Sequence, residues 1–381
     1  MMWGCTKDNN TTFEEVDYID TSSELISTSN KDTLIREVAR KDVKIVEYTV
    51  ASFSELMKPV FRIPSAIVTN RRAILVAFEN REFFYDKGEI DILVARKEYG
   101  DTIFNIRKVV AYSKSTYGRT MNPIFVVDRE GCHGKRGRIF LFCSHLKGEG
   151  YAITNTPEEV DMFYKYSDDD GKSWSPEYSL RDKWRKEIYD FAISSAANGI
   201  QCEDGTFIVP SMIVKDGEWH SGILYKRPKE DWIFSSATPN SGDNECTVYI
   251  DNDDKIVLDC RTEEKIRRRY VYNIEKDSFS QLPDCPSVLT DLKAEIHKVK
   301  DNNMNRYLLT YVDPTSTDKR ENITLYSSND AIIWNKVYRL QDGELPWSAY
   351  SNVYEWEGNR VAVYETNDAI KIQEISHISI H

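Results

Sequence analysis

The sequence predicts an all-β protein, and within that class a six-bladed β-propeller of four-stranded antiparallel blades, on three observations. First, short apolar runs follow one another through most of the chain: VKIVEYTV, SAIVTN, AILVAFEN, IDILVAR, NPIFVVD, RIFLFCS, TFIVPSMIV, CTVYI, KIVLDC, YLLTYV, NITLYSS, NRVAVYE and IKIQEISHISI, parted by Asp, Asn, Gly and Ser. That is the pattern of strands joined by hairpin turns. Second, no stretch of about 12 residues after Lys44 keeps a 3.6-residue apolar period, so helices are not expected there. Third, one motif occurs twice at the same spacing, the mark of an architecture built by repetition.

Taken in order, residues 1–43 are rich in Thr, Ser, Asp and Asn and hold no sustained apolar period. They read as a polar, flexible lead-in with at most one short helix. Residues 44–381 carry the strand texture to the end; at four strands and roughly 50 to 57 residues per blade they make about six blades. The terminal run IKIQEISHISI would then pair with VKIVEYTV, closing the ring and leaving no open edge. The clearer copy of the motif is YSDDDGKSW, with Ser167, Asp169, Gly171 and Trp174; in the second, YSSNDAIIW, Ser327, Asn329, Ala331 and Trp334 stand at the same spacing. Polar side chains fold back onto a tight hairpin, glycine supplies backbone freedom and tryptophan plugs the space beneath, so the motif is structural. DDDG lacks the remaining ligand positions and closing glutamate of a calcium loop, and no cation is expected on it.

Composition narrows the function classes. With 50 Lys+Arg against 62 Asp+Glu, the net charge is −12. Such a balance argues against a nucleic-acid partner or an anionic membrane surface, both of which select basic patches. An anionic ligand would need a local arginine cluster. No apolar run approaches the roughly 18 residues of a transmembrane span. The seven cysteines follow no C-x-x-C spacing and read as buried thiols. Six histidines are scattered (133, 145, 220, 297, 377 and 381), so neither a metal nor another cofactor is expected. Gly4-Cys5 ahead of a polar tail resembles the end of a lipoprotein cleavage box, and with it goes an expected extracellular, periplasmic or cell-surface location without a complete signal peptide.

The fragment VFRIPSAIVTN sets Arg62 just ahead of a buried strand. FRIP together with the strand and motif texture resembles the exo-α-sialidase (neuraminidase) family of bacteria and animals, from Lys44 onward. The resemblance implies a six-bladed propeller whose centre holds three arginines around a substrate carboxylate. Here they are Arg62, Arg261 in NECTVYIDNDDKIVLDCR, and Arg320 in DKRENITLYSSND. Planar guanidinium forks match the lone pairs of a carboxylate better than lysine does. The same resemblance makes Tyr350 in PWSAYSNVYEWEGNRVAVYE the nucleophile, Glu245 its base, and Glu365 the acid that braces the first arginine.

Chemistry accounts for a tyrosine. The anomeric carbon of a sialic acid bears its own carboxylate, which would repel an anionic nucleophile but not a neutral phenol, and sialidases with a tyrosine nucleophile depart from the two-carboxylate scheme of most glycosidases. A phenol of pKa near 10 needs a base. The general acid/base is expected in ENREFFYDKGEIDILVAR, where Arg81 matches an additional site arginine and Asp86 the catalytic aspartate, with Glu89 and Asp91 as alternatives. Phe83, Phe84 and Tyr85 are read either as partly desolvating Asp86 and raising its pKa or as loop hydrophobes covering a blade edge. Met121, Phe191 and Ile193 are candidates for an N-acyl pocket and Trp347 for a sugar platform at the rim, or else for a core position. The activity implied is hydrolysis of terminal α-linked sialic acids on glycoproteins, glycolipids or oligosaccharides by a monomer. The alternatives are transfer of the sialic acid, including intramolecular anhydro formation, and non-catalytic sialoside binding.

Overall fold

The computed structural model describes residues 25–26, 36–40, 43–52, 58–111, 118–148, 152–185, 188–264, 266–283, 295–301, 304–312, 322–340, 350–366 and 368–376. Among them lie 27 strands and three single-turn 3₁₀ helices, Ala152–Thr154, Pro157–Glu159 and Arg181–Lys183. No helix among the described residues is long and apolar enough to cross a membrane.

The strands make a propeller-like arrangement of small antiparallel sheets. Five sheets form, of nine, five, four, five and four strands, where six separate ones were expected. The nine-stranded sheet holds two meanders. One runs through Val60–Val68, Ile74–Arg81, Ile90–Lys97 and Asn105–Val110, the other through Arg119–Val127, Ile139–Leu146, Val160–Ser167 and Tyr178–Ser179. A single parallel pair, Ile90 with Arg119, continues the hydrogen bonding from one to the other. Inner strands such as Arg119–Val127 and Ile139–Leu146 are buried along their whole length, on both faces. Packing between neighbouring sheets is why they read as continuous apolar runs rather than an alternation.

The chain's two ends share a sheet. Val43–Ser52 pairs antiparallel with Ala369–Ser376, Ser52 opposite Ala369 and Lys44 opposite Ser376, so that neither strand is left as a free edge. Arg36–Arg40 extends this sheet, and Leu25–Ile26 pairs with Asn105–Val110. The segment read as a lead-in thus contributes two strands.

Both copies of the repeated motif form hairpins, in different registers. In the first, Ser167 Oγ donates to Asp169 Oδ1 (2.8 Å), which also accepts from the amides of Lys172 (3.0 Å) and Ser173 (2.8 Å). Gly171 has φ +83°, and a Cβ there would lie 2.4 Å from Leu75 Cδ2. In the second copy the working pair is Ser328 and Asp330, one residue later than the expected Ser327 and Asn329: Ser328 Oγ donates to Asp330 Oδ1 (2.9 Å), which accepts from the amides of Ile332 and Ile333 (2.8 and 2.9 Å). A carboxylate gathers several N–H donors better than an amide oxygen does, so the turn shortens by one residue to use Asp330. Ala331 then takes the left-handed conformation, φ +58°. Trp174 is 4% exposed in the core shared by the first meander and stacks on Phe125 at 6.3 Å. Trp174→Ala is expected to cost about 3–5 kcal/mol of stability in denaturant unfolding, as for other buried aromatics cut to alanine.

Cys143, Cys246 and Cys260 are buried thiols and Cys202 is a half-buried one. Cys132, by contrast, is disulfide-bonded, so the expectation of thiols throughout does not hold.

Candidate active site

The site is built where inner strands begin. Val60–Val68 loses register with Ile74–Arg81 between Arg62 and Ser65. Pro64 has no N–H for the ladder, and Ile63 takes φ +54°, a strained value for a β-branched residue. The bulge frees the Ile63 amide to donate to Glu365 Oε2 (2.9 Å). Glu365, fully buried, also accepts from Arg62 Nη2 (3.4 Å) and from the Tyr350 amide (3.2 Å). One carboxylate therefore ties the arginine strand to the tyrosine segment.

The same device recurs one meander on. Arg119–Val127 breaks register between Met121 and Ile124, Asn122 before Pro123 has φ +55°, and its amide donates to Oε1 of fully buried Glu79 (2.7 Å). Glu79 in turn holds Arg81, whose Nε donates to Oε2 at 2.5 Å. Burial pushes the Glu79 carboxyl up, against the pull of Arg81. Neither Glu79 nor Asn122 was foreseen. The available signals were a glutamate two positions before Arg81, hence on the same strand face, and a proline placed after Asn122 as Pro64 is after Ile63.

Tyr350 is 8% exposed and clusters with Ile63 and Ala196. Its hydroxyl donates to Glu245 Oε1 at 2.5 Å, while Glu245 Oε2 accepts from Arg261 Nη1 at 2.8 Å. Burial, then the charge of Glu245, drives the phenol far above its usual pKa, and Arg261 and Arg62 pull the other way. The Arg62 guanidinium lies 5.2 Å from the Tyr350 ring centroid. Burial works against its charge, but Glu365 and Tyr350 more than restore it.

Asp86 comes to this cluster from the loop after Ile74–Arg81. Its Oδ1 accepts from Arg81 Nη1 (2.6 Å), and its main-chain carbonyl accepts from Arg119 Nη1. The expected rise in its pKa is reversed: burial acts upward, but Arg81 and Arg62 outweigh it and hold the carboxyl below its usual value. The aromatics also do not enclose it. Phe83 and Tyr85 are 52% and 74% exposed, and Phe84 packs its ring 5.0 Å from the Arg62 guanidinium. Of the alternatives, buried Asp91 binds Lys58 (2.9 Å) and Lys108 (3.2 Å), and Glu89 faces Lys58 at 3.6 Å. Arg62, Arg81, Asp86, Glu245, Arg261, Tyr350 and Glu365 are thus linked through these contacts, whereas Arg320 and Trp347 lie outside the described residues. Phe191 and Ile193 belong to a hydrophobic core, and Met121 packs with Ile90 and Leu146 beside the Asn122 bulge. Chemically, the cluster offers cationic forks for an anion beside a phenol held on a carboxylate.

Residues 76–363 match the BNR repeat-like domain family. The chain belongs to that family. A sialidase of Bacteroides fragilis (strain YCH46) is 23% identical over 310 residues, which cover 74% of this chain and 55% of that protein. The chain therefore spans about half the length of this curated relative. Among solved structures, a Hadza microbial sialidase superposes with a TM-score of 0.76 at 21% identity, over 87% of this chain and 68% of that one. The Trypanosoma rangeli sialidase in complex with 2,3-difluorosialic acid gives 0.71 at 16% identity, over 94% and 58%. The intramolecular trans-sialidase of Ruminococcus gnavus gives 0.69 at 14%, over 87% and 98%. Likeness at these identities speaks for the fold, and the BNR repeat-like chain shares the propeller of the sialidases.

Proposed function

We propose that the protein is an exo-α-sialidase that releases terminal α-linked sialic acid with retention of configuration. The observation that carries this reading is the relay Tyr350–Glu245–Arg261, with contacts of 2.5 and 2.8 Å, beside an Arg62 braced by Glu365. In this reading the two meanders of the nine-stranded sheet count as separate blades, for six blades in all. Arg62, Arg261 and Arg320 grip the substrate carboxylate, with Arg81 beside them. That anion offsets the arginine charge which keeps Asp86 ionised, so the bound substrate favours a protonated Asp86. Asp86 gives its proton to the glycosidic oxygen. Tyr350 passes its phenolic proton to Glu245 and bonds to the anomeric carbon as the leaving group departs. Water, deprotonated by Asp86, then displaces the tyrosine oxygen, which recovers its proton from Glu245. Two inversions give net retention. The Trypanosoma rangeli sialidase in complex with 2,3-difluorosialic acid is a covalent intermediate of that enzyme.

Proton NMR of a digest of α2,3-sialyllactose tests the proposal: free sialic acid is expected to appear first as the α-anomer. A β-anomer appearing first, or no release from α2,3-, α2,6- or α2,8-linked substrates, overturns it. A transferase reading draws support from the Ruminococcus gnavus structure, 98% of which this chain matches. An anhydro-sialic acid as first product, in place of the free sugar, would identify it. The disulfide at Cys132 supports a location outside a reducing cytoplasm.

A further inference from the structure

We propose that Arg119 is a positioning residue that keeps the proton-donating aspartate on station through both of its protonation states. The inference rests on the functional reading above. Asp86 sits in an exposed loop between Arg81 and Ile90, closed at its base by a bond from the Glu82 amide to the Glu89 carbonyl (3.1 Å). Two arginines tether Asp86, and they do so differently. Arg81 holds the carboxylate by an ion pair of 2.6 Å, with the Asp86 side chain 50% exposed. Arg119 holds the main-chain carbonyl.

The difference matters during turnover. An acid catalyst must carry a proton when the glycosidic bond breaks, and a neutral carboxyl loses most of the charge-assisted attraction that binds it to Arg81. A hydrogen bond to the peptide oxygen persists when the carboxyl takes up that proton, while the Arg119 charge adds a smaller pull toward the ionised form than Arg81 and Arg62 do. Arg119 is well placed for such a duty: its side chain is fully buried, and its backbone is held on two sides, opposite Leu146 in the antiparallel ladder and beside Ile90 in the parallel pair. Its hold therefore transmits the rigidity of two meanders to a loop that is otherwise surface-exposed, and placement within about half an ångström is what efficient proton transfer requires.

This role has a signature that a merely structural one lacks. Lactose is a poor leaving group that needs protonation, whereas 4-methylumbelliferone leaves readily without it. Formation of the covalent intermediate is what kcat/KM reports. Arg119→Met is expected to lower kcat/KM for α2,3-sialyllactose by about 10²-fold and for the 4-methylumbelliferyl α-sialoside by less than about threefold. Arg119→Lys, which keeps a donor and a charge, is expected to recover a large part of the sialyllactose loss. Equal losses on the two substrates, or no loss on either, overturn the inference. Should Arg119→Met not yield folded protein, the same substrate ratio measured on Arg119→Gln decides, a selective loss on sialyllactose supporting the role and an even loss, or none, refuting it. A wild-type protein that cleaves neither substrate would instead overturn the functional reading, and the role of Arg119 with it.

Discussion

Tyr350→Phe is expected to abolish release of 4-methylumbelliferone from its α-sialoside, a loss in kcat/KM of more than about 10³-fold or roughly 4 kcal/mol of transition-state stabilisation. Only the hydroxyl is removed. The ring stays among Ile63 and Ala196 and near the Arg62 guanidinium, and Glu245 keeps its bond to Arg261. Stability should therefore fall by no more than about 1 kcal/mol, the net worth of one hydrogen bond, and thermal unfolding should move by a few degrees at most. Separating the two readouts is what gives the experiment its force, since a phenol that merely packed in the core would affect unfolding and not turnover. Near-native hydrolysis by a folded Tyr350→Phe protein would sink the assignment of the nucleophile.

Glu245→Gln is expected to reduce kcat/KM by about 10²–10⁴-fold, the range of general-base catalysis. The phenol is driven far above its usual pKa by burial and then by Glu245 itself, so almost none of it is ionised near neutral pH without a base in contact. An amide at this position can still accept a hydrogen bond but cannot take the proton. It also leaves Arg261 facing a neutral group, so KM for the anionic substrate should stay level or fall, which distinguishes lost chemistry from lost binding. Because base and nucleophile act in one step, the double variant with Tyr350→Phe should be scarcely slower than Tyr350→Phe alone. Losses that multiply would mean that the two residues act independently and that Glu245 is not the base for Tyr350.

Much of the fold was legible before any coordinates. Continuous apolar runs such as AILVAFEN and RIFLFCS mark inner strands because burial on both faces leaves no polar alternation to write. Outer strands were harder to see. Glu218–Lys226 carries a charge at each end and Arg267–Asn273 three arginines at its start, and pairing with a neighbour reveals them as strands. The second motif copy shows the same limit at the scale of one residue. Spacing alone aligned Ser327 and Asn329 with the first copy, but hydrogen-bond capacity chose Ser328 and Asp330.

For the site, residue types in local context sufficed to nominate Arg62, Arg81, Asp86, Glu245, Arg261, Tyr350 and Glu365, since each chemical task needs a particular group. What residue types could not supply was the electrostatic balance at Asp86. Flanking aromatics suggested an apolar surrounding, yet the chain turns Phe83 and Tyr85 outward and brings Arg81 and Arg62 to the carboxyl instead. A side chain's pKa depends on what faces it across space, and those neighbours come from other strands.

Sequence by itself determined the all-β class and the identities of the groups available for chemistry, because periodicity, turn residues and functional groups are local properties. Tertiary structure alone decided that two buried glutamates, Glu365 and Glu79, each clamp an arginine onto a strained bulge, and that Arg119 reaches from a separate meander to the loop of Asp86. Those are contacts between segments far apart in the chain. No local pattern encodes them, since a bulge at Ile63 or Asn122 is stable only once the carboxylate that receives its amide has been folded into place.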